Sequence, residues 1–206
     1  MKIAADHFPT TKVVATGSST LAARAKFRDT LAGRKTHVHL TPMALADVEP
    51  FGDGDLLRRL RHGGRPPCHL ADEPPYEEMK EWIEAYRARD IQELDRRERR
   101  HAFFRLIELL FLRRGGVFEA SALARPCEIS RPAVQNHVAV LEDTHVVRVV
   151  RPFHGGAARE ILVAPKVYGG DTGLIAFFNG WMALRSDDAG RPWEHLVRNE
   201  LEILPR

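Results

Sequence analysis

The stretch Ser130–Asp143, SRPAVQNHVAVLED, decides the fold of the central part of this chain. Serine is a preferred helix N-cap, and the proline two residues later stands in the first turn, where a helix tolerates the missing N–H group. Val134, Val138 and Leu141 recur at helical spacing, which indicates one buried face. The pattern therefore predicts a capped helix over residues 131–143 that packs through these three side chains.

The segments on either side extend this helix into a recognisable order of elements. A broad apolar stripe predicts a helix over residues 101–114, and a shorter helix over 119–125 precedes a turn. After the long helix, residues 146–150 and 160–164 are rich in β-forming side chains and flank a Gly-Gly pair, which is typical of a hairpin. Helix, helix, turn, helix and hairpin is the order of a winged helix-turn-helix, which we place at residues 99–164.

The side of the predicted helix that faces away from its apolar stripe has the chemistry of a DNA contact. Pro132, Asn136 and Ala139 lie there, with Arg131 and Gln135 at the flank nearest the helix start. The side chains of Arg131, Gln135 and Asn136 are suited to hydrogen bonds with base edges. The predicted hairpin carries arginines suited to phosphate contacts, namely Arg148, Arg151 and Arg159. We therefore predict DNA as a partner. The alternative is a winged helix used only for protein packing, which the small net charge of +3 favours.

The N-terminal part reads as the remnant of an α/β core. Lys12–Ser19, KVVATGSS, is an apolar run ending in small hydroxyl residues, as in a buried parallel strand that faces a ligand crevice. A predicted helix over residues 20–31 and a strand over 37–40 follow it, and we assign 1–44 to this unit. Three elements cannot cover both faces of a parallel sheet, so we expect sheet partners from further chain.

Four side chains of this unit are candidates for sensing a nucleotide. The hydroxyls of Thr16, Ser18 and Ser19 are suited to orient a water molecule or sense a γ-phosphate, although a plain helix cap is the alternative. Arg34 is suited to reach a phosphate, and a surface arginine is the alternative. No Gly-x-x-x-x-Gly-Lys-Ser/Thr phosphate loop occurs anywhere in the 206 residues.

The remaining segments are predicted to be mostly helical. Residues 45–60 have a helical pattern, a second helix is predicted over 76–94, and the charge run 96–100 indicates a solvated boundary. We assign 45–98 to a helical connector and 165–206 to the start of a third domain that ends in an amphipathic helix. The inner face of the second helix is predicted to contain Met79, Ile83, Tyr86 and Ile91. The fold class is therefore α+β, mostly helical.

Composition limits the classes of protein that fit. No apolar run approaches the roughly 18 residues of a membrane span, and a signal-peptide pattern is missing, so we expect a soluble, cytoplasmic protein with no membrane partner. Cys68 and Cys127 stand far apart and predict two buried thiols. His37 and His39 would share one strand face, but no third ligand is evident and we predict no metal site.

Several motifs, read in chain order, carry a family resemblance. They are Thr16–Ser19, Leu31–Arg34, Gly63–Pro67, Asp90–Ile91, the winged-helix segment and Pro165–Leu174. In this order the chain resembles the prokaryotic AAA-superfamily ATPases that carry a C-terminal domain of unknown function. The resemblance implies an N-terminal ATPase core, then a winged helix, then a nuclease-like domain that opens around Lys166, Tyr168, Asp171 and Gly173.

The resemblance also implies what this chain lacks. The family's phosphate-binding loop and magnesium-holding strand would precede Met1, and its remaining nuclease-like strands would follow Arg206, so we expect a chain truncated at both ends. ATP and magnesium are the cofactors implied for the complete family protein. We expect neither to bind this chain tightly, and we expect no ATP hydrolysis by the chain alone. The exposed sheet edge and the final helix suggest self-association as a further hypothesis.

Overall fold

The chain divides into two compact units, Met1–Leu40 and Thr41–Arg206. The computed structural model describes residues 7, 11–14, 16, 36, 38–52, 54–89, 97–113, 116–153, 163–181, 183–184 and 190–203. None of the helices in these ranges has the length and apolar character needed to cross a membrane.

In the first unit, the predicted strands are not found where the structure describes the chain. Residues 12–14 and 16 lie in no regular secondary structure, and neither do residues 38–40. Val14 and Leu40 are each 84% exposed, whereas strands of a parallel sheet would bury such side chains. The predicted helix over 20–31 lies outside the described residues.

The second unit is mostly helical. Its elements, in chain order, are α1 (Leu45–Val48), a 3₁₀ turn (Glu49–Phe51), α2 (Leu56–His62), α3 (Pro66–His69), α4 (Tyr76–Arg89), α5 (Arg97–Leu112), α6 (Ala120–Ala124), α7 (Arg131–Asp143), β1 (Val147–Val150), β2 (Lys166–Gly169), α8 (Thr172–Phe178) and α9 (Gly190–Ile203).

The helix predicted over residues 45–60 is interrupted. Pro50 lies in the 3₁₀ turn, and Gly52 follows it with a φ of 75°, a left-handed conformation that ends the first helical segment. Asp55 then caps α2 by accepting a hydrogen bond from the N–H of Leu57. The connector therefore contains two short helices in place of one long helix.

Helix α7 has the bounds that its sequence predicts. The Ser130 hydroxyl accepts a hydrogen bond from the N–H of Ala133, as an N-cap does. Val134, Val138 and Leu141 are buried in the core, as predicted. Through this face α7 packs against α5, α6 and β1. The alignment of cap and apolar stripe explains why this element could be read from local sequence.

The two strands pair in a way that the sequence pattern did not indicate. β1 pairs antiparallel with β2, with Val147 opposite Gly169 and Val150 opposite Lys166. The predicted partner strand was 160–164, but residues 163 and 164 are not in a strand. Val167 is buried in the same core as Val147, which gives β2 the apolar contact that selects this pairing.

Helix α8 packs at the centre of the second unit. It packs against α2, α4, α5, α9 and β2, and its residues Thr172 to Ala176 are all buried. Met79 and Tyr86 of α4 are buried on the face predicted for them, and Ile83 is partly buried against the same core. Ile91 lies outside the described residues.

The unit crosses the boundaries predicted from the sequence. Residues 97–100 are the first turn of α5, so the charge run there is helical rather than a loop. β2, α8 and α9 come from the stretch predicted to open a third domain, yet they pack with α2, α5 and β1. This packing gives no support to a separate nuclease-like domain at residues 165–206.

Candidate functional site

The turn between α6 and α7 sets the direction of α7. Ile129 donates its N–H to the carbonyl of Ala124, and Cys127 donates its N–H to that of Leu123. Glu128 has a φ of 57°, the left-handed conformation that reverses the chain here. The Cys127 thiol is buried below the turn, and burial raises its pKa. Cys68 is buried as well, so both thiols are free and buried as predicted.

The exposed side of α7 contains the three residues predicted to read base edges. Arg131, Gln135 and Asn136 are exposed, as are Pro132 and Ala139 on the same side of the helix. These five positions fall within one contiguous part of the helical surface, with Pro132, Asn136 and Ala139 turned away from the buried side chains and Arg131 and Gln135 at the flank. The structure therefore brings the predicted base-reading residues together on one face that is open to solvent.

The two arginines predicted to contact phosphates from β1 have different environments. Arg151 follows β1 and is exposed. Arg148 is only 7% exposed, and its Nε donates to both carboxylate oxygens of Glu202 on α9, at 3.1 and 3.0 Å. This guanidinium is bound inside the fold, so Arg148 is not part of an exposed surface. Arg159 lies outside the described residues.

Helix α9 holds the strand pair through polar contacts. Glu194 accepts hydrogen bonds from Lys166 Nζ at 3.0 Å and from the Tyr168 hydroxyl at 2.8 Å. The hydrogen bond from Lys166 is the largest of the effects that hold the Glu194 pKa below its ordinary value. Burial opposes the ionisation of Glu202, but Arg148 and Arg198 outweigh it and lower that pKa also. The sheet is therefore fixed to α9 at both strands.

Two buried polar residues of α9 bind the backbone at the end of β2. His195 Nδ1 accepts a hydrogen bond from the N–H of Gly169 at 2.9 Å, which requires the neutral ring with its proton on Nε2. The Asn199 side-chain amide donates to the carbonyl of Gly170 at 3.2 Å. Burial lowers the pKa of His195 to about 4, so the ring is neutral at pH 7.

A second polar cluster surrounds Asp171, the N-cap of α8. Its Oδ1 accepts from the N–H of Gly173 at 2.7 Å, and its Oδ2 accepts from the N–H of Gly64 at 3.2 Å. Arg65 lies 3.5 Å from the same Oδ2, and its guanidinium also stacks over the Trp82 ring. One carboxylate therefore joins the loop after α2 to the start of α8.

Arg59 adds a second link between the same two elements. It is 1% exposed, and its guanidinium donates to the Thr172 hydroxyl at 3.1 Å and to the carbonyl of Met43 at 2.8 Å. The Thr172 hydroxyl in turn donates to the carbonyl of Arg59 at 3.0 Å. Burial lowers the pKa of Arg59, while the charges of Asp171 and Glu200 oppose that shift.

Glycines allow the backbones in this cluster to approach closely. A Cβ on Gly63 would collide with the Asp171 carboxylate, and one on Gly64 would lie 2.6 Å from the carbonyl oxygen of Met43. A Cβ on Gly173 would lie 2.5 Å from the carbonyl oxygen of His62. Two N–H groups and an arginine bind the Asp171 carboxylate. We therefore interpret this cluster as a structural junction between the loop after α2 and the start of α8.

The predicted nucleotide-sensing residues are not assembled into a site where the structure describes them. Thr16 is exposed in an irregular segment, and Ser18, Ser19 and Arg34 lie outside the described residues. Among the residues that are described, no group of three or more His, Cys, Asp or Glu side chains is placed to hold a metal ion. Of the four candidates only Thr16 can therefore be placed, and the prediction that they sense a nucleotide stays a prediction.

Sequence reasoning missed the buried polar residues Arg59, Asp171, His195 and Asn199. Arg59 and His195 lie in short or amphipathic helices, where charged and polar side chains usually face water. The one local signal was glycine content, since Gly63-Gly64 and Gly169-Gly170 both indicate close backbone approach. Which segments approach each other could not be read from the glycines.

Gly63→Ala should destabilise the second unit strongly. Gly63 has φ 80° and ψ −169°, a region open essentially to glycine alone, and the new methyl group would displace Asp171. We expect a loss of about 3 kcal/mol or more in the free energy of unfolding, measured by urea denaturation. Gly54→Ala is the matched control, because nothing lies within 4 Å of its Cβ position, and should change stability by less than about 0.5 kcal/mol. Equal effects of the two substitutions would contradict the junction.

Stability should fall as the pH drops from about 6.5 towards 4. In the unfolded chain His195 takes up a proton near pH 6.5, whereas in the folded chain its pKa is about 4. Between these values the unfolded state binds more protons, so protonation favours unfolding, by up to about 3 kcal/mol. Thermal unfolding across this range should show the loss.

His195→Asn keeps a polar atom near Gly169 and removes the titration, so it is the matched variant for this pH dependence. Its stability should depend less on pH between 4 and 6.5. Some slope should persist, because the pKa of the buried His62 is lowered as well, mainly by burial. An unchanged slope in His195→Asn would contradict the assignment to His195.

The chain is similar to a family and to curated proteins from mycobacteria. A family model described as a domain of unknown function (DUF8612) matches residues 53–185, more than half of the chain. Uncharacterized protein Rv2008c of Mycobacterium tuberculosis and Uncharacterized protein Mb2031c of Mycobacterium bovis are each 28% identical to it over 184 residues. No solved structure matches the chain.

These similarities show a family of unknown function with prokaryotic members. They leave the assignments to an ATPase, a winged helix and a nuclease-like domain untested. The alignments cover 85% of this chain but only 41% of each relative, so the chain spans about two fifths of the relatives' length. Neither the family description nor the names of these relatives mention an ATPase, a winged helix or a nuclease, which stay predictions. By the match over residues 53–185, this chain belongs to the DUF8612 family.

Proposed function

We propose that the segment from α5 to β2 is a winged helix-turn-helix that binds duplex DNA through the exposed face of α7. The observation that carries the proposal is the division of α7 into two faces. Val134, Val138 and Leu141 are in the core, while polar side chains able to read base edges are exposed on the rest of the helical surface. A helix that presents such a face beyond a tight turn is the arrangement used by helix-turn-helix proteins.

Flanking arginines support the same surface. Arg125 lies in the turn before α7, Arg151 follows β1, and both are exposed. Phosphate contacts from such positions orient a recognition helix without reading sequence. Arg148 is not part of this set because Glu202 holds its guanidinium.

The small net charge makes the expected binding moderate and sensitive to salt. A formal charge of +3 over 206 residues does not produce a strong field, so attraction depends on the local arginines. Each phosphate neutralised releases counterions, so affinity should fall steeply as salt rises. Measurements at low salt are therefore the appropriate first test.

The wider proposal is that this region is part of an AAA-type ATP-binding protein and does not hydrolyse ATP by itself. The ordered motifs of the family resemblance support this, as does the lack of a phosphate loop in the 206 residues. Backbone N–H groups and a lysine of that loop supply most of the phosphate contacts in such enzymes. The activity and partners of the longer relatives are part of this proposal.

A second candidate function is a protein-interaction module, which the outer side of α9 favours. Trp193, Val197 and Leu201 recur every four residues there, with exposed fractions of 44%, 39% and 62%. Apolar side chains arranged in this way on a helix are common in contact surfaces. This candidate does not depend on DNA binding.

Duplex DNA should bind the wild-type chain at low salt and bind a triple variant of α7 much more weakly. Replacing Arg131, Gln135 and Asn136 by alanine removes exposed side chains only, so the fold should persist. We expect the dissociation constant, from electrophoretic mobility shift, to rise at least about tenfold. Lys80→Ala, on the exposed side of α4, removes a positive charge elsewhere and should change it little. Unchanged DNA mobility with the wild-type chain would refute the proposal.

The purified chain should show no magnesium-dependent ATP hydrolysis above background. A chain without a phosphate loop lacks the contacts that stabilise the transferred phosphoryl group. Phosphate release, measured with and without magnesium, checks this expectation. Robust turnover that disappears when magnesium is chelated would overturn the ATPase part of the proposal.

Self-association through α9 should appear in light scattering as a mass that rises with concentration. Val197→Ser should reduce the rise, because it places a polar group within the apolar stripe. Leu57→Ser is the control, since Leu57 is also an exposed apolar residue, at 50% against 39% for Val197, but lies on α2. A monomer at every concentration would count against the interaction module.

A further inference from the structure

We propose that α7 enters the major groove by its N-terminal half and prefers a guanine followed, about two base pairs away, by an adenine. Arg131 would read the guanine, and Gln135, with Asn136 beside it, would read the adenine. This inference rests on the proposed function, because it specifies which duplex the exposed face of α7 selects.

Charge along α7 determines which end meets the DNA. Arg131 begins the helix, and the first acidic residues of α7, Glu142 and Asp143, are its last two. The helix N-terminus itself carries partial positive charge, which favours the approach of phosphates. The DNA phosphates would repel the acidic C-terminal end of α7. The N-terminal half is therefore the end suited to the groove.

The spacing of the exposed side chains sets the spacing of the bases. Arg131, Gln135 and Ala139 follow one another at intervals of four residues, so they form one row along the exposed face. A helix rises 1.5 Å per residue, so neighbours in this row are about 6 Å apart. Base pairs are stacked about 3.4 Å apart. Successive side chains in the row therefore meet bases about two pairs apart when the helix follows the groove.

The chemistry of the two side chains then selects the bases. A guanidinium fits the O6 and N7 acceptors of guanine with two hydrogen bonds, and a carboxamide fits the N6 donor and N7 acceptor of adenine. The side chains of Arg131, Gln135 and Asn136 make no hydrogen bond or ion pair with the residues that the structure describes, so no such contact has to be broken. Ala139 at the next step is small and suits the methyl group of a thymine.

The same geometry excludes double-stranded RNA as the preferred ligand. The major groove of an A-form helix is deep and too narrow for side chains to read. A helix that reads by insertion should therefore discriminate against RNA of the same sequence. Binding of both duplexes with equal affinity would indicate phosphate contact alone.

The test is selection of binding sites from a random duplex DNA library by the wild-type chain at low salt. We expect enriched sites to contain guanine and adenine at the stated spacing. Replacing that guanine by 7-deazaguanine removes its N7 acceptor and should weaken binding about tenfold, within the range known for one bidentate contact. The matching RNA duplex should bind at least as weakly as unselected DNA.

Two substitutions separate charge from base reading. Arg131→Lys keeps the charge but loses the planar fork, so it should retain binding to unselected DNA while its preference for guanine becomes weaker. Arg131→Ala should lose the preference for guanine and also bind unselected DNA more weakly. Lys80→Ala should keep the wild-type preference. Circular dichroism confirms the fold of each variant, and Arg131 is exposed, so folding should be unaffected.

The outcomes distinguish this inference from the function on which it rests. If the wild-type chain binds no duplex DNA, both fail. If it binds duplex DNA but no sequence is enriched, or Arg131→Ala keeps the guanine preference, the base-reading inference fails and DNA binding stands. Enrichment of guanine and adenine whose guanine preference weakens in Arg131→Lys and is lost in Arg131→Ala supports it.

Discussion

The second unit depends on the buried carboxylate of Asp171. This one group caps α8, accepts the N–H of Gly64 from the loop after α2, and lies beside the guanidinium of Arg65. Helix α8 packs against α2, α4, α5, α9 and β2. Because Asp171 is its N-cap, the position of this residue affects how the connector helices pack near the strands. A buried carboxylate is costly unless hydrogen bonds and charges compensate for it, and here the N–H of Gly64 and the charge of Arg65 come from a segment over 100 residues away in sequence.

A second constraint comes from α9, which fixes the strand pair. Glu194 binds β2 through Lys166 and Tyr168, and Glu202 binds β1 through Arg148. These contacts pack one side of the short sheet against α9. The basic side chains Lys166 and Arg148 therefore stabilise the fold. The sheet alone would be marginal, since two strands rarely persist without a packed face.

This division of labour relates the fold to the proposed function. Helix α7 buries its apolar stripe against α5, α6 and β1, and so its opposite face is held in a defined direction. Side chains on a rigid helix lose less freedom on binding than side chains on a loop, which favours selective contacts. The net charge of the chain is only +3, so the side chains that meet base edges would contribute more to preference than a general field.

The sequence by itself determined the helices whose signals are local. The bounds of α7, its Ser130 cap, its buried stripe and the inner face of α4 all follow from periodicity and capping, which involve residues only a few positions apart. Only the tertiary structure decided that β1 pairs with Lys166–Gly169, that Arg148 is bound to Glu202, and that Asp171 joins α2 to α8. These contacts connect residues distant in sequence, and a charged side chain in an amphipathic helix carries no local sign of the partner that will bury it.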